Sequence, residues 1–307
     1  TEIYTLSLHD ALPICWCERV KPKIEDEDWW HSGYEEHPWR LVKSEADTAS
    51  TMKRVGGTWP HAPNGRIYFH IQNKSATAPV ALAQDGLWVN AGVDYRFSGL
   101  LCDGTMFSAT PVTSKPVTIE ALLFPEGDLD AEPLTGATLV VDATTCRKFT
   151  ARLPAPKTTG RATFVLRVPP GRVLVGDMLS LLPANHIATL RPDVLAGMKQ
   201  VPAAVIRFPG GCFASTYRWR DGIGDRDGRP VDFHHWWNFP MLNDLGTVEF
   251  LTLCRETGSE PMMCVPVMFD DAFNAADWVA FCNTDHHPLL AKTGLDRPDS
   301  PALGGKQ

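Results

Sequence analysis

Between about residue 60 and residue 183, apolar and polar positions alternate in short runs. In GRIYFHIQNKS, Ile67, Phe69 and Ile71 fall on one side and Tyr68 and His70 on the other, the period-two pattern of a strand with one buried face. Further runs follow in VDYRFSGLLC, KPVTIEALLFP, GATLVVDA, RATFVLRVPP and RVLVGDMLSLLP, most of them separated by Gly, Pro, Asp or Thr turns. Short strands at this spacing predict an antiparallel β-sandwich, jelly-roll-like in type.

After Pro183 the period changes. LRPDVLAGMKQ places Leu190, Val194, Leu195 and Met198 on one helical face, with a proline near the start where its missing N–H does no harm. A strand in AAVIRFP, a helix in GTVEFLTLCRETG closing on Gly258, a strand in EPMMCVPVMF and a helix in NAADWVAFCNTD capped by Asn274 follow in turn. Strand and helix in alternation predict βα units of a parallel sheet. A (β/α)8 barrel takes about 250 residues, and the stretch from 188 to 307 is about half that. The expected fold is thus multidomain β plus α/β: a sandwich over residues 15–186, then over residues 187–307 the first units of a truncated barrel.

The first residues, TEIYTLSLHDALPI, have neither the basic start nor the continuous apolar core of a signal peptide. They resemble the in-frame translation of a sequencing-library adapter, so Thr1 to Ile14 are expected to lie outside the fold and any export signal to be lost. The ending TGLDRPDSPALGGKQ breaks off in a loop, so both ends read as truncated. With 44% apolar residues there is material for two cores. The net charge of -7, with basic residues scattered, gives no footprint for nucleic acid or an anionic membrane and suits a neutral or cationic ligand better. No apolar run approaches the roughly 20 residues of a membrane-spanning helix. The eight cysteines, at 15, 17, 102, 146, 212, 254, 264 and 282, include no CxxC pair, so most are expected to be reduced and structural, and no metal or cofactor is expected.

The candidate chemistry lies in RFPGGCFASTYRWRDGIGDRDGRP, residues 207–230. Neither GxxxxGK[ST] nor GxGxxG is present, which argues against a phosphate cradle. If the preceding strand belongs to a barrel, its C-terminal end faces the active site. Gly210 and Gly211 would let the backbone turn there, and Arg207 would either hold a catalytic carboxylate through paired hydrogen bonds or make a structural pair at the rim.

Together with NDLGTVEFLTLCRETGSEP and AADWVAFCN, this stretch resembles the first part of the catalytic barrel of glycoside hydrolase family 51, the α-L-arabinofuranosidases. GDMLSLLP and LRPDVLAGMKQ resemble the segment leading into that barrel, and GLWVNAGVDYRFSGLL more faintly resembles the family's accessory N-terminal domain. The likeness is strong over about 177–284. It implies retaining hydrolysis of non-reducing terminal α-L-arabinofuranosyl groups of plant polysaccharides such as arabinan and arabinoxylan, without a cofactor and without nucleic-acid or membrane partners. It leaves room for a homo-oligomeric intact enzyme, and an extracellular or periplasmic location is favoured over a cytoplasmic one. It also implies an acid/base glutamate following an asparagine on a middle strand and a nucleophilic glutamate on a later one. The chain contains no Asn-Glu pair, and Glu249, Glu256 and Glu260 fall in a helix or at the start of a strand, so both catalytic residues are expected beyond Gln307 and this chain is expected to be inactive.

What the resemblance carries over is support: Arg207 against the nucleophile, Cys212 at a position that touches the sugar, and Gly210, Gly211, Trp219 and Asp221 as pocket wall and loop scaffold. One departure is Pro266-Val267-Met268, where the family usually has Asn-x-Gly. An endo-β-glucanase or another exo-glycosidase on the same scaffold is the alternative, as is a carbohydrate-binding module using Trp59 or Trp88. His234-His235-Trp236-Trp237 reads as a substrate-side or packing loop, and His286-His287 as a complement to a helix C-terminus.

Overall fold

A computed structural model describes residues 39–56, 67–104, 116–142, 146–230, 232–234, 239–241, 243–266, 271–284 and 286–293. Residues 1–14, Cys15, Cys17, Trp59, His235, Trp236, Trp237, Val267, Met268 and Gln307 lie outside that set. The chain divides after Asn185 into two compact units.

The first unit contains ten strands: β1 (Trp39–Val42), β2 (Thr51–Gly56), β3 (Ile67–Gln72), β4 (Val80–Val89), β5 (Tyr95–Cys102), β6 (Val117–Pro125), β7 (Thr135–Val141), β8 (Arg147–Leu153), β9 (Gly160–Val168) and β10 (Val173–Pro183). They form two five-stranded antiparallel sheets, ordered β1-β4-β9-β6-β7 and β2-β3-β10-β5-β8. One core fills the space between them. Phe69, Ile71, Leu82, Phe97, Ile119, Phe164 and Leu166 are buried there, and Phe97 of one sheet stacks on Phe164 of the other at 5.3 Å between ring centroids.

The alternation read in β3 holds for Phe69 and Ile71. Tyr68, expected on the wet side, is buried as well, in a smaller cluster with Cys102, Cys146 and Val175 on the reverse of the same sheet. Most of the described cysteines are free, as expected, but two are not: Cys102, at the end of β5, and Cys146, just before β8, form a disulfide across a sequence separation of 44. Spacing concealed it, because neighbouring strands in a sheet can be far apart in sequence. The remaining described cysteines are free.

The second unit contains α1 (Pro192–Gln200), β11 (Val205–Phe208), β12 (Asp232–His234), β13 (Phe239–Met241), α2 (Thr247–Thr257), β14 (Glu260–Met263) and α3 (Ala272–Asn283). Proline opens α1, and Leu195 on its inner face packs with Leu190 and with Leu253 of α2. Gly258 closes α2 in the left-handed conformation at φ +71°, a turn that suits glycine. The cap of α3 is Asp271, whose carboxylate accepts from the Asn274 amide at 2.8 Å; Asn274 is thus capped rather than capping.

β11 and β14 pair in parallel, Val205 with Glu260 through Phe208 with Met263, and α2 lies between them in sequence, the order of a βαβ unit. On one face of the pair, Phe208 and Met263 pack against Tyr217, Trp219, Trp278 and Phe281. On the other, Val205 (49% exposed), Arg207 and Met262 (50%) meet solvent.

Candidate functional site

The candidate site is built at the C-terminal end of β11, where a parallel strand delivers its last side chains to a loop. Backbone pairing continues one step past the strands, with the Cys264 amide donating to the Phe208 carbonyl at 2.9 Å. Pro209 follows through a cis peptide bond, Gly210 is extended, and Gly211 takes φ +56°. Gly211 is needed for that left-handed turn, since its surroundings are open. At Gly210 the Arg207 guanidinium lies 3.5 Å from the point a Cβ would occupy, an ordinary contact, so space alone does not demand glycine there. Arg207 is exposed and makes no hydrogen bond or ion pair to another described residue. Cys212, also exposed, begins the short 3-10 turn Gly211–Ser215. Arg207, Gly210, Gly211 and Cys212 are therefore brought together around one turn with their polar groups free to meet a ligand.

Trp219 does not join them. At 0% exposure it offers no surface to a ligand: its ring stacks parallel to Trp278 at 6.0 Å, its indole N–H donates to Asn274 Oδ1 at 3.2 Å, and the Arg220 guanidinium covers it at 4.7 Å. The expected pocket wall is an aromatic core, because a tryptophan beside a partly buried sheet gains more from burial than from solvent. Asp221 sits half-buried in the adjoining turn, Trp219–Gly222. His287 lies edge-on to Trp219 and Phe281 and bonds Asp277 of α3 through Nε2 at 3.1 Å, a specific partner in place of the expected helix dipole. Burial alone would raise the Asp277 carboxyl, yet hydrogen bonds from His287 and Arg220 hold it below its ordinary value.

Behind the turn lies a buried polar frame that the sequence reading missed. Arg229 and Glu249 pair through two hydrogen bonds, at 2.7 and 3.2 Å. The same guanidinium reaches the carbonyls of Gly224 and Asn243 at 2.8 and 2.9 Å, and Glu249 accepts from the Gly246 amide at 2.9 Å. The Gly-x-x-Glu spacing at 246–249, a helix start with glutamate at its third position, was the available signal. Gly246 and Gly222 touch backbone to backbone: a Cβ on Gly246 would stand 1.9 Å from the Gly222 oxygen. Tyr217, buried beside them, has a hydroxyl without a partner among the described residues, and burial pushes its pKa up, with Arg229 opposing and Glu249 and Asp221 adding. Burial likewise pushes the Cys254 and Cys282 thiols up to about 11, so both stay protonated at neutral pH, as structural cysteines should. Pro266 is buried, and His234 stands in β12. Among the described residues no group of His, Cys, Asp and Glu is arranged to hold a metal ion.

A parallel βαβ unit with an arginine and a glycine pair at the end of its first strand can be compared with known proteins. Residues 197–298 match the family model of the alpha-L-arabinofuranosidase 1 domain. Over this part the chain is similar in sequence to α-L-arabinofuranosidases. It is 36% identical to alpha-L-arabinofuranosidase C of Emericella nidulans over 135 residues, 42% of this chain and 26% of that protein. It is also 36% identical to an intracellular exo-alpha-L-arabinofuranosidase of Bacteroides ovatus over 117 residues, 36% of this chain and 23% of that one. A solved arabinofuranosidase from Thermotoga maritima, in complex with arabinose, shares 37% identity over 36% of this chain and 24% of its own, with a TM-score of 0.34. The chain spans about a quarter of the length of the curated arabinofuranosidases it matches.

Proposed function

We propose that this chain is part of a retaining α-L-arabinofuranosidase acting on terminal arabinofuranosyl groups of plant polysaccharides, with residues 15–186 as an accessory sandwich and residues 187–307 as the first part of a catalytic barrel. The observation that carries the reading is that residues 197–298, matched by the arabinofuranosidase model, hold a parallel βαβ unit whose first strand ends in Arg207, Gly210 and Gly211.

Retaining hydrolysis needs two carboxyl groups about 5–5.5 Å apart. One attacks the anomeric carbon while the other protonates the leaving oxygen; the second then draws a proton from the water that releases the sugar. The glutamates of this unit are otherwise occupied or misplaced. Glu249 is bound to Arg229 and the Gly246 amide, Glu256 pairs with Lys199, and Glu260 starts β14, at the end of the strand pair away from Arg207. In this reading both reacting carboxylates come from sequence beyond Gln307. Arg207 holds the nucleophile in one rotamer by donating paired hydrogen bonds, which fits a guanidinium that is exposed and uncommitted. Cys212, Gly210 and Gly211 line the sugar, and Asp221 braces the loop behind them.

The test uses the longer open reading frame that contains this sequence, assayed on 4-nitrophenyl α-L-arabinofuranoside beside the β-D-xyloside and β-D-glucoside, with the first-formed anomer followed by NMR. Turnover of the arabinofuranoside with retained configuration is expected, and none from the 307-residue chain. Preference for another glycoside, inversion, or activity of the 307-residue chain would each contradict the part of the proposal it addresses.

A further inference from the structure

An open cleft lies in the sandwich, separate from the Arg207 turn. On the solvent side of the sheet β1-β4-β9-β6-β7, Thr138, Glu120 and Arg167 stand in one row across β7, β6 and β9, with Thr118 beside them. They floor an open cleft of about 590 Å³, within the range of small-molecule and saccharide sites. Its walls are Pro79, Pro116, Pro169 and Pro170, with Arg172.

These walls are fixed before any ligand arrives. Proline has one soft dihedral fewer than other residues. The buried amide of Asn73 also donates, at 3.0 Å each, to the carbonyls of Ala78 and Val168, the residues directly preceding Pro79 and Pro169. The Asn73 backbone amide donates to the Arg172 carbonyl at 2.9 Å, and the Arg172 guanidinium to the Pro116 carbonyl at 2.8 Å. A single buried side chain thus ties two walls together and the arginine secures the third, so binding would order little that is not already ordered.

The floor offers two hydroxyls, a carboxylate and a guanidinium, the donors and acceptors that a polyhydroxylated ligand requires. Its charge selects further. Arg167 and Arg172 face one carboxylate, Glu120, which Arg167 meets at 3.2 Å. Among the described residues lining the cleft, cationic groups outnumber carboxylates two to one, on a chain whose net charge is -7. Arg167 and Glu120 are both part-exposed, so their pair is weak enough to be exchanged for a ligand carboxylate. We propose that this cleft binds a carboxylated saccharide, a uronic acid unit within an oligosaccharide, whose carboxylate is taken by Arg167 and Arg172 and whose hydroxyls are taken by Thr118 and Thr138. The site is separate from the Arg207 turn and does not depend on the function proposed for it.

Isothermal titration of the 307-residue chain with trigalacturonate at low salt, beside neutral xylotriose, tests it. The acidic trisaccharide should bind more tightly, and Arg167→Gln should weaken it on the order of tenfold, the loss of one charge-assisted hydrogen bond. Glu120→Gln, nearly isosteric and part-exposed, should tighten it severalfold by removing the competing carboxylate, an effect that a merely structural glutamate would not produce. Equal binding of acidic and neutral trisaccharides, no binding of either, or a Glu120→Gln variant no tighter than the parent would overturn the proposal.

Discussion

Replacing Gly246 with alanine tests the account of the second unit most directly. The added methyl would stand 1.9 Å from the Gly222 oxygen and 2.7 Å from its carbonyl carbon, where ordinary contact begins at 3.4 Å, so two backbone segments must part by about 1.5 Å. Neither is the end of a flexible side chain. Overpacking of this kind costs about 1–3 kcal/mol. The displacement also draws the Gly246 amide away from Glu249, whose charged hydrogen bond contributes about 1.5–3 kcal/mol. Against this, alanine restricts the unfolded chain and returns about 0.4–1 kcal/mol. The net expectation is a loss of about 1.5–5.5 kcal/mol. Urea unfolding followed by tryptophan emission reads it, since Trp219 and Trp278 stack within this unit. With a slope of about 2 kcal/mol/M the midpoint should fall by about 0.7–2.8 M. Gly228→Ala is the control: nothing lies within 4 Å of its added methyl, and its unfolding free energy should stay within about 0.5 kcal/mol of the parent. A Gly246→Ala midpoint equal to that of the control would refute the close approach and the frame built on it.

Arg229→Met should destabilise the same unit by about 3–5 kcal/mol in the same assay, because it leaves Glu249 charged and buried without its guanidinium; the double variant with Glu249→Leu should recover much of the loss. In the sandwich, burial holds the His70 imidazole below its ordinary value, with Lys53 adding and a backbone hydrogen bond opposing. The folded state then binds fewer protons than the unfolded chain, so stability present above pH 6.5 is lost as the pH falls through the lower folded value. Thermal melts should show that slope in the parent, and His70→Gln should flatten it. Peptides carrying Cys102 and Cys146 should remain linked in a non-reducing digest and separate on reduction, and a Cys102→Ala/Cys146→Ala variant should lose about 4 kcal/mol of stability if loop entropy governs a closure over 44 residues.

The sequence revealed most where one periodicity ran unbroken. Six of the sandwich strands were legible, β3 by alternation and the others as short apolar runs between turn residues, whereas β1, β2 and β8 are sheet edges, as is β7, and β4 is interrupted by a register shift between Gln84 and Leu87. In β8, Arg147, Lys148 and Arg152 dilute the signal of Phe149 and Leu153, as edge strands commonly do. At the candidate site, the arginine and Gly211 were legible because a strand end and a left-handed turn each favour particular residue types. Trp219 was misplaced because an aromatic ring in a loop motif reads the same whether it faces a ligand or Trp278. The Arg229–Glu249 pair, 20 residues apart, and the Gly222–Gly246 contact exist only after the chain has folded back on itself, and no local pattern announces a contact of that kind.

The face of the β11–β14 pair that carries Val205, Arg207 and Met262 has a practical consequence for handling the molecule. Two exposed aliphatic side chains on a two-stranded sheet, whose outer edges are unpaired among the described residues, form a template onto which another copy can add a strand. Arg207 and the exposed Glu260, register partner of Val205, are the charges on that face, one of each sign. What keeps copies apart is then the chain's net charge of -7, and light scattering from concentrated solutions should rise with ionic strength as that repulsion is screened.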